Sequence, residues 1–326
     1  MITLTKNPDK DFIILNLTDP QLGDPEWAEG HINRQILEYT VQALIKKTKP
    51  DLITISGDIA WAGYDNAYTM FADLLEQFQI PWAPIWGNHD NQNGREHVDK
   101  IVEKYLTYPH CIYEKGDPIL GNGNYVIRIE ENGKPVEALI MMDSHDKADY
   151  INEAGETKEV WAKLTSEQIE WYKVQAAQLK ADGCNDATLI SHIPIYAYQT
   201  ASLAAYKPDI PLNEITVAQA DGKECWNEGY EESTGVQHEA ISSYPADDGV
   251  VEALKADGLV KHVLAGHDHV NNWIIQHDGI TMIYALKTGA GCYWEPDLNG
   301  GTVLTVNKNG VSSVRHEYVD ISHLIK

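Results

Sequence analysis

Residues 84–90 read PIWGNHD: an apolar run ends in one glycine and three polar side chains, Asn88, His89 and Asp90, each able to hold a metal or a proton. Gly and Asn often share a turn for conformational reasons alone, so the segment takes its meaning from its surroundings. Upstream the chain alternates. FIILNLT (12–18) is a short apolar run of the buried-strand kind, and Ile32, Ile36, Leu37, Val41, Leu44 and Ile45 recur at helical spacing through 31–47. DLITISG (51–57) repeats the strand pattern, 65–79 reads as a second helix, and PWAPIWG (81–87) is a third strand. Strands alternating with helices imply right-handed crossovers and a parallel sheet. PIWGNHD therefore stands at the carboxyl end of a strand, where open α/β sheets collect their ligand-binding residues.

Downstream the pattern changes. NYVIRIE (124–130) and VEALIMMD (136–143) read as a hairpin across residues 131–135, and 165–182 reads as a helix with Thr165 or Ser166 as N-cap and Gln168 closing a capping box. ATLISH (187–192) and LVKHVLAG (259–266) are further strands. NWIIQHDGITMIYAL, GTVLTVN and VSSVRHEYV read as antiparallel strands joined by Asp-Gly and Asn-Gly turns. Residues 196–245, rich in Tyr, Glu, Asp, Gly and Pro, read as one long irregular insertion, and loops of that length inside compact domains are usually functional or disordered. The simplest expectation is a single domain over 1–326, with two mixed sheets face to face, helices outside, and the 196–245 insertion walling a pocket.

Composition excludes several function classes. The 326 residues carry 25 Lys and Arg against 49 Asp and Glu, a net charge of −24 spread along the chain. Binding to nucleic-acid polymers or anionic membranes needs basic surface and is not expected. An anionic substrate is still allowed where bound cations reverse the field locally. No run approaches the roughly 18 apolar residues of a membrane span. MITLTKNPDKDF at the start lacks the basic and apolar regions of a secretory signal, and the four scattered cysteines contain no CxxC pair. Both features suit a reducing, cytoplasmic location.

Five polar clusters share one position, just after or at the end of an expected strand: Asp19 and Gln21 in TDPQ, Asp58 in SGDI, Asn88–His89–Asp90 in GNHD, His192 in SHIP, and His267 and His269 in GHDH. Taken singly each has an ordinary explanation. Asp19 before Pro20 could open a turn, Asp58 could cap a helix, Asn88 could occupy a left-handed position, and a lone His192 is more often structural than a ligand. GHDH is more telling, because residues i and i+2 off a strand project from the same side. Turn chemistry does not account for two Asp, one Asn and three His all at strand ends.

In that order, D-x-Q, GD, GNHD, H and GHxH resemble the calcineurin-like metallophosphoesterase superfamily, which includes the purple acid phosphatases, over roughly residues 12–295. The resemblance implies a four-layer α/β/β/α sandwich with a two-metal site. Asp19, Gln21, Asp58 and His269 would hold the first metal, Asp58 would bridge, and Asn88, His192 and His267 would hold the second. A bridging carboxylate supports two cations about 3.5–4 Å apart, and mixed N/O ligation suits divalent or trivalent Mn, Fe or Zn rather than Ca. The implied reaction is attack by a metal-bridging hydroxide on a clamped phosphoryl group, with His89 facing the substrate as acid or hydrogen-bond donor and Asp90 orienting its ring.

The pattern departs from the superfamily in two places. Gln21 stands where a histidine is commonest, a weaker, neutral ligand, and Trp61 stands three residues after Asp58, where purple acid phosphatases carry a tyrosinate. Among the branches, the small phosphatases related to purple acid phosphatases but lacking their N-terminal β-domain are nearest in motif. Candidate substrate contacts are His145, delivered to the sheet end in MMDSHD, and Tyr196, Trp226, Tyr230 and His238 in the insertion; TGAGCY (288–293) reads as a phosphate-approaching GxG or a tight turn. The functional expectation is hydrolysis of phosphomonoesters. The alternatives are a phosphodiesterase acting on nucleotides or lipid head groups through the same site, and a non-catalytic scaffold; oligomeric state is left open.

Overall fold

The computed structural model describes residues 1–61 and 63–325. The chain runs through β1 (Ile2–Thr5), β2 (Phe12–Leu17), α1 (Ile32–Thr48), β3 (Leu52–Ser56), α2 (Asp65–Glu76), β4 (Trp82–Ile85), α3 (Asn88–Asn91) and α4 (Arg95–Tyr105). It continues with β5 (Tyr125–Glu131), β6 (Lys134–Met141), β7 (Lys147–Ile151), β8 (Thr157–Trp161), α5 (Ser166–Ala181), β9 (Ala187–Ile190), α6 (Ala197–Ala205) and α7 (Val217–Asp221). The last elements are α8 (Val250–Asp257), β10 (Val260–Ala265), β11 (Ile274–His277), β12 (Ile280–Tyr284), β13 (Gly300–Asn307) and β14 (Gly310–Tyr318).

Two mixed sheets form the centre. The smaller has the order β14-β13-β2-β3-β4, and the larger β1-β5-β6-β9-β10-β12-β11. Strands β2, β3 and β4 are mutually parallel, as are β6, β9, β10 and β12. The larger sheet is buried on both faces, so its strands read as nearly continuous apolar runs. Alternation along them still separates the two sides. Leu139 and Met141 of β6 join Ile14 of β2 in the layer between the sheets, whereas Ala138 and Ile140 join Tyr172, Ala176 and Leu179 of α5 outside. Val41 and Leu44 of α1 and Phe71 and Leu75 of α2 cover the other face of the smaller sheet. This is the expected α/β/β/α sandwich.

The insertion departs from the irregular reading. Residues 197–205 form α6 and 217–221 form α7, and short bridges Tyr206–Trp226, Thr234–Ile274 and Gln237–Asn271 tie the remainder to the sheet edge. Buried Tyr198, Ala201 and Ala205 give α6 an apolar face in the same cluster as Ile275 of β11. Hairpin β7–β8 was not expected at all. Its strands mix Lys, Asp and Glu with single apolar residues and stay half-exposed on both sides, so neither a buried run nor a clean alternation marks them.

Candidate metal centre

Parallel strands put their carboxyl ends together, and the five clusters follow from that. Asp19 lies two residues past β2, Asp58 two past β3, Asn88 three past β4, His192 two past β9 and His267 two past β10. Both sheets contribute, so the centre straddles the sandwich. The backbone bends sharply to present these side chains: Asp19, Gln21, Asp58 and His267 have φ of 53°, 46°, 50° and 79°. Left-handed non-glycine residues cost of the order of 1–3 kcal/mol each and cluster at functional sites. Cross-bonds hold them, with Asp19 N–H donating to Gly57 O and Gln21 N–H to Asp58 O, both at 3.1 Å. Gly87 has no substitute here, because a Cβ would stand 2.1 Å from Asp58 Oδ1.

Two sets of donors converge, Asp19–Asp58–His269 and Asp58–His192–His267, each with its ligand atoms within 4.8 Å of one another. Asp58 belongs to both. His192 Nε2 lies 3.3 Å from Asp58 Oδ2 and 3.0 Å from Asn88 Oδ1, and His269 Nε2 lies 3.3 Å from Asp19 Oδ1. The ring orientations are set from behind. His192 Nδ1–H donates to Ser56 O and His269 Nδ1–H to Tyr293 O, each at 2.8 Å. A carbonyl can only accept, so in both rings Nδ1 carries a proton and Nε2 is the nitrogen turned to the centre, the arrangement in which metal-ligating histidines are held.

The donors fit a metal pair on two further grounds. Asp19 Oδ1, both amide atoms of Gln21, Asn88 Nδ2 and His267 Nε2 are buried without a hydrogen-bond partner among the described residues, a density of orphaned polar atoms that folded proteins avoid unless a ligand satisfies them. The electrostatics also call for positive charge. Burial pushes Asp19 and Asp58 up, but His192, together with His269 and Lys287 at Asp19, outweighs it and holds both carboxylates below their ordinary range. Burial alone would pull His192 down, yet Asp58 and Asp19 drive it up to about 10. Burial and the neighbouring His192 take His267 down to about 3. The two carboxylates thus recruit a proton where a cation would serve.

His89 and Asp90 part company. His89 N–H donates to Asp58 Oδ1 at 2.9 Å, its Nε2 stands 4.0 Å from Asp58 Oδ2, and its ring packs on Trp61 with centroids 4.2 Å apart. Asp90 does not orient that ring. Its carboxylate accepts from Gly87 N–H at 2.8 Å, Ile59 N–H at 3.1 Å, Ala60 N–H at 3.3 Å and the Tyr68 hydroxyl at 2.7 Å. Both residues lie in α3, where consecutive side chains do not face each other. Asp90 instead ties the loop carrying Asp58 to the loop carrying Asn88.

The other candidates divide. His145 lines a cleft of about 460 Å³ with Asn91, Arg95, Asn122, Asp143 and Lys147, its Nε2 2.9 Å from Gln168 Oε1. Tyr196 opens α6, its N–H donating to Asp248. The remaining three are engaged elsewhere: Trp226 is buried against Tyr206, Tyr230 bonds His277 on edge strand β11, and His238 lies between Glu295 and Ile215 O beside a separate cavity of about 560 Å³. Apolar aromatic composition could not tell an insertion's own core from a pocket wall. The GxG of TGAGCY serves close packing, since a Cβ on Gly291 would meet Pro20 O at 2.2 Å. Sequence reading passed over Lys287, fully buried with Nζ donating to Asp19 O at 2.6 Å; a lysine directly after an apolar strand was the available signal.

Comparison with known proteins agrees with this geometry. The family model for calcineurin-like phosphoesterases matches residues 13–271. The chain is 32% identical over 269 residues to a protein of Arabidopsis thaliana named probable inactive purple acid phosphatase 14, covering 77% of this chain and 61% of that one. It is 28% identical over 273 residues to probable inactive purple acid phosphatase 29 of the same plant, covering 77% and 64%. The chain therefore spans less than two thirds of the length of these relatives. Among solved structures, a dimetal phosphatase from Danio rerio shares the fold with a TM-score of 0.54 at 14% identity, over 94% of this chain and 99% of that one. With a family match over most of its length and a relative of that identity, the chain belongs to the calcineurin-like phosphoesterase family.

Proposed function

We propose that the chain is a metal-dependent phosphomonoesterase with two metal ions sharing Asp58. The observation that carries this reading is the pair of buried donor sets with one carboxylate in common. Asp19, Gln21, Asp58 and His269 would hold one ion, and Asp58, Asn88, His192 and His267 the other. When bound, the ions supply Lewis acidity and the positive charge that a phosphoryl group and an attacking water require. The chain's own residues do the positioning. Asp58 is fixed by the His89 N–H, and His192 and His269 are fixed by carbonyls behind them. His89, 22% exposed beside the centre, is placed to donate a proton or a hydrogen bond to the departing oxygen.

The relatives' names include the word inactive. That word describes those proteins, and this chain keeps a complete donor set together with His89. Hydrolysis of p-nitrophenyl phosphate and of bis-p-nitrophenyl phosphate, each under Mn²⁺, Zn²⁺ and Fe²⁺, tests the reading. Metal-dependent turnover of the monoester, abolished in Asp58→Asn, supports it. Faster turnover of the diester would make the chain a phosphodiesterase, and no turnover with both metals bound would leave the scaffold reading.

A further inference from the structure

The donors of the centre are almost out of reach of solvent: Asp58 is 1% exposed, His269 4% and His267 8%. Three aromatic side chains border them. Trp61, in the loop after β3, packs on His89. Trp161, the last residue of β8, meets the His267 ring at 83° with centroids 4.5 Å apart. Tyr293, 48% exposed, lies at 20° to the His269 ring with centroids 4.2 Å apart. Three segments distant in sequence thus each set one ring against a different histidine. Two of the rings are fixed in place. The Tyr293 hydroxyl donates to Glu239 Oε2 at 2.8 Å, and Lys147 Nζ sits 2.9 Å from the centroid of the Trp161 ring.

We infer that this aromatic collar selects phosphate esters whose leaving group is a planar aromatic, an inference that rests on the phosphoesterase reading above. The buried donors would be taken up by the metals that hold the phosphoryl group, so what distinguishes one ester from another must be met at the rim. Rigid, part-exposed rings offer stacked and edge-on contacts beyond simple apolar burial, and they lose little entropy in making them. A leaving group of equal size without a π-face gains only the burial. The rival explanation is that the rings merely keep water from the metal ligands.

The two explanations separate by equilibrium binding of non-hydrolysable phosphonates to the Mn²⁺-loaded full chain, measured by calorimetry. Benzylphosphonate and cyclohexylmethylphosphonate match in carbon count and differ in planarity. The expected result is that benzylphosphonate binds about two- to twelve-fold more tightly. Trp161→Leu should bring that ratio towards one, with metal content and methylphosphonate affinity unchanged. Equal affinity in the parent protein, a ratio that survives Trp161→Leu, or loss of metal in that variant would overturn the collar and leave the phosphoesterase reading standing. If no phosphonate binds and orthophosphate does not bind either, the phosphoesterase reading itself fails and the inference fails with it.

Discussion

His89 is the most exposed side chain of the centre, and its neighbours define what it can do. Among the described residues none accepts from its Nδ1, and Trp61 rather than a carboxylate packs against the ring. It contributes no donor atom to either metal-binding set. His89→Ala is expected to keep both metals and to lower kcat by about 10²–10⁴-fold, the worth of a general acid; metal analysis beside steady-state kinetics checks this, and loss of metal would put His89 in the wrong role. Asp90 should behave in the opposite way. Asp90→Asn turns one acceptor oxygen into a donor facing backbone N–H groups, so unfolding in urea should show a loss of about 1–3 kcal/mol, with a smaller fall in kcat than in His89→Ala. The resemblance to the superfamily implied that Asp90 orients His89, whereas adjacency on a helix sends the two side chains apart. The convergence of the candidate ligands was legible, since each sits just past an apolar run and those runs are parallel strands.

At the scale of elements, the strand–loop junctions carry the centre, and glycine sets their clearance. Gly87→Ala would drive a methyl group into Asp58 Oδ1, and displacing a shared ligand should weaken metal binding by about 10–100-fold, as loss of a supporting contact does. Competition with a fluorescent chelator measures this, and unchanged affinity would show that the loops can part. The helices and strands that lead to the centre declared themselves by period. Of the elements that did not, β7 and β8 stay half-exposed, and α6 buries its short apolar face from within the polar insertion. Hairpin β7–β8 has little apolar surface to reveal it, yet it delivers Trp161 to His267. Its position depends on tertiary contacts such as Tyr150 against Tyr244 and Lys163 over that same ring, which local pattern does not encode.

At the scale of the molecule, a chain of charge −24 concentrates buried carboxylates at one place and compensates them there. Without a metal, Asp58 and Asp19 outweigh the burial of His192 and push its imidazole up to about 10. A metal ion must displace that proton. At pH 7 binding should therefore release about one proton per chain from His192, and the apparent affinity should rise with pH until His192 is neutral; titration in buffers of different ionisation enthalpy counts the protons. A ligand that binds only the folded state at about 1,000 times its Kd stabilises by ~4 kcal/mol per site, so chelation should also lower Tm.

The most direct test of the account is the number of metal ions per chain at saturation, measured by mass spectrometry of the metal content for the parent protein and three variants. The parent should hold two, His269→Ala and His267→Ala should each hold one, and Asp58→Asn, which removes the shared carboxylate, should lose both. A parent protein that saturates at one ion, or an Asp58→Asn variant that keeps two, would contradict a centre built around Asp58.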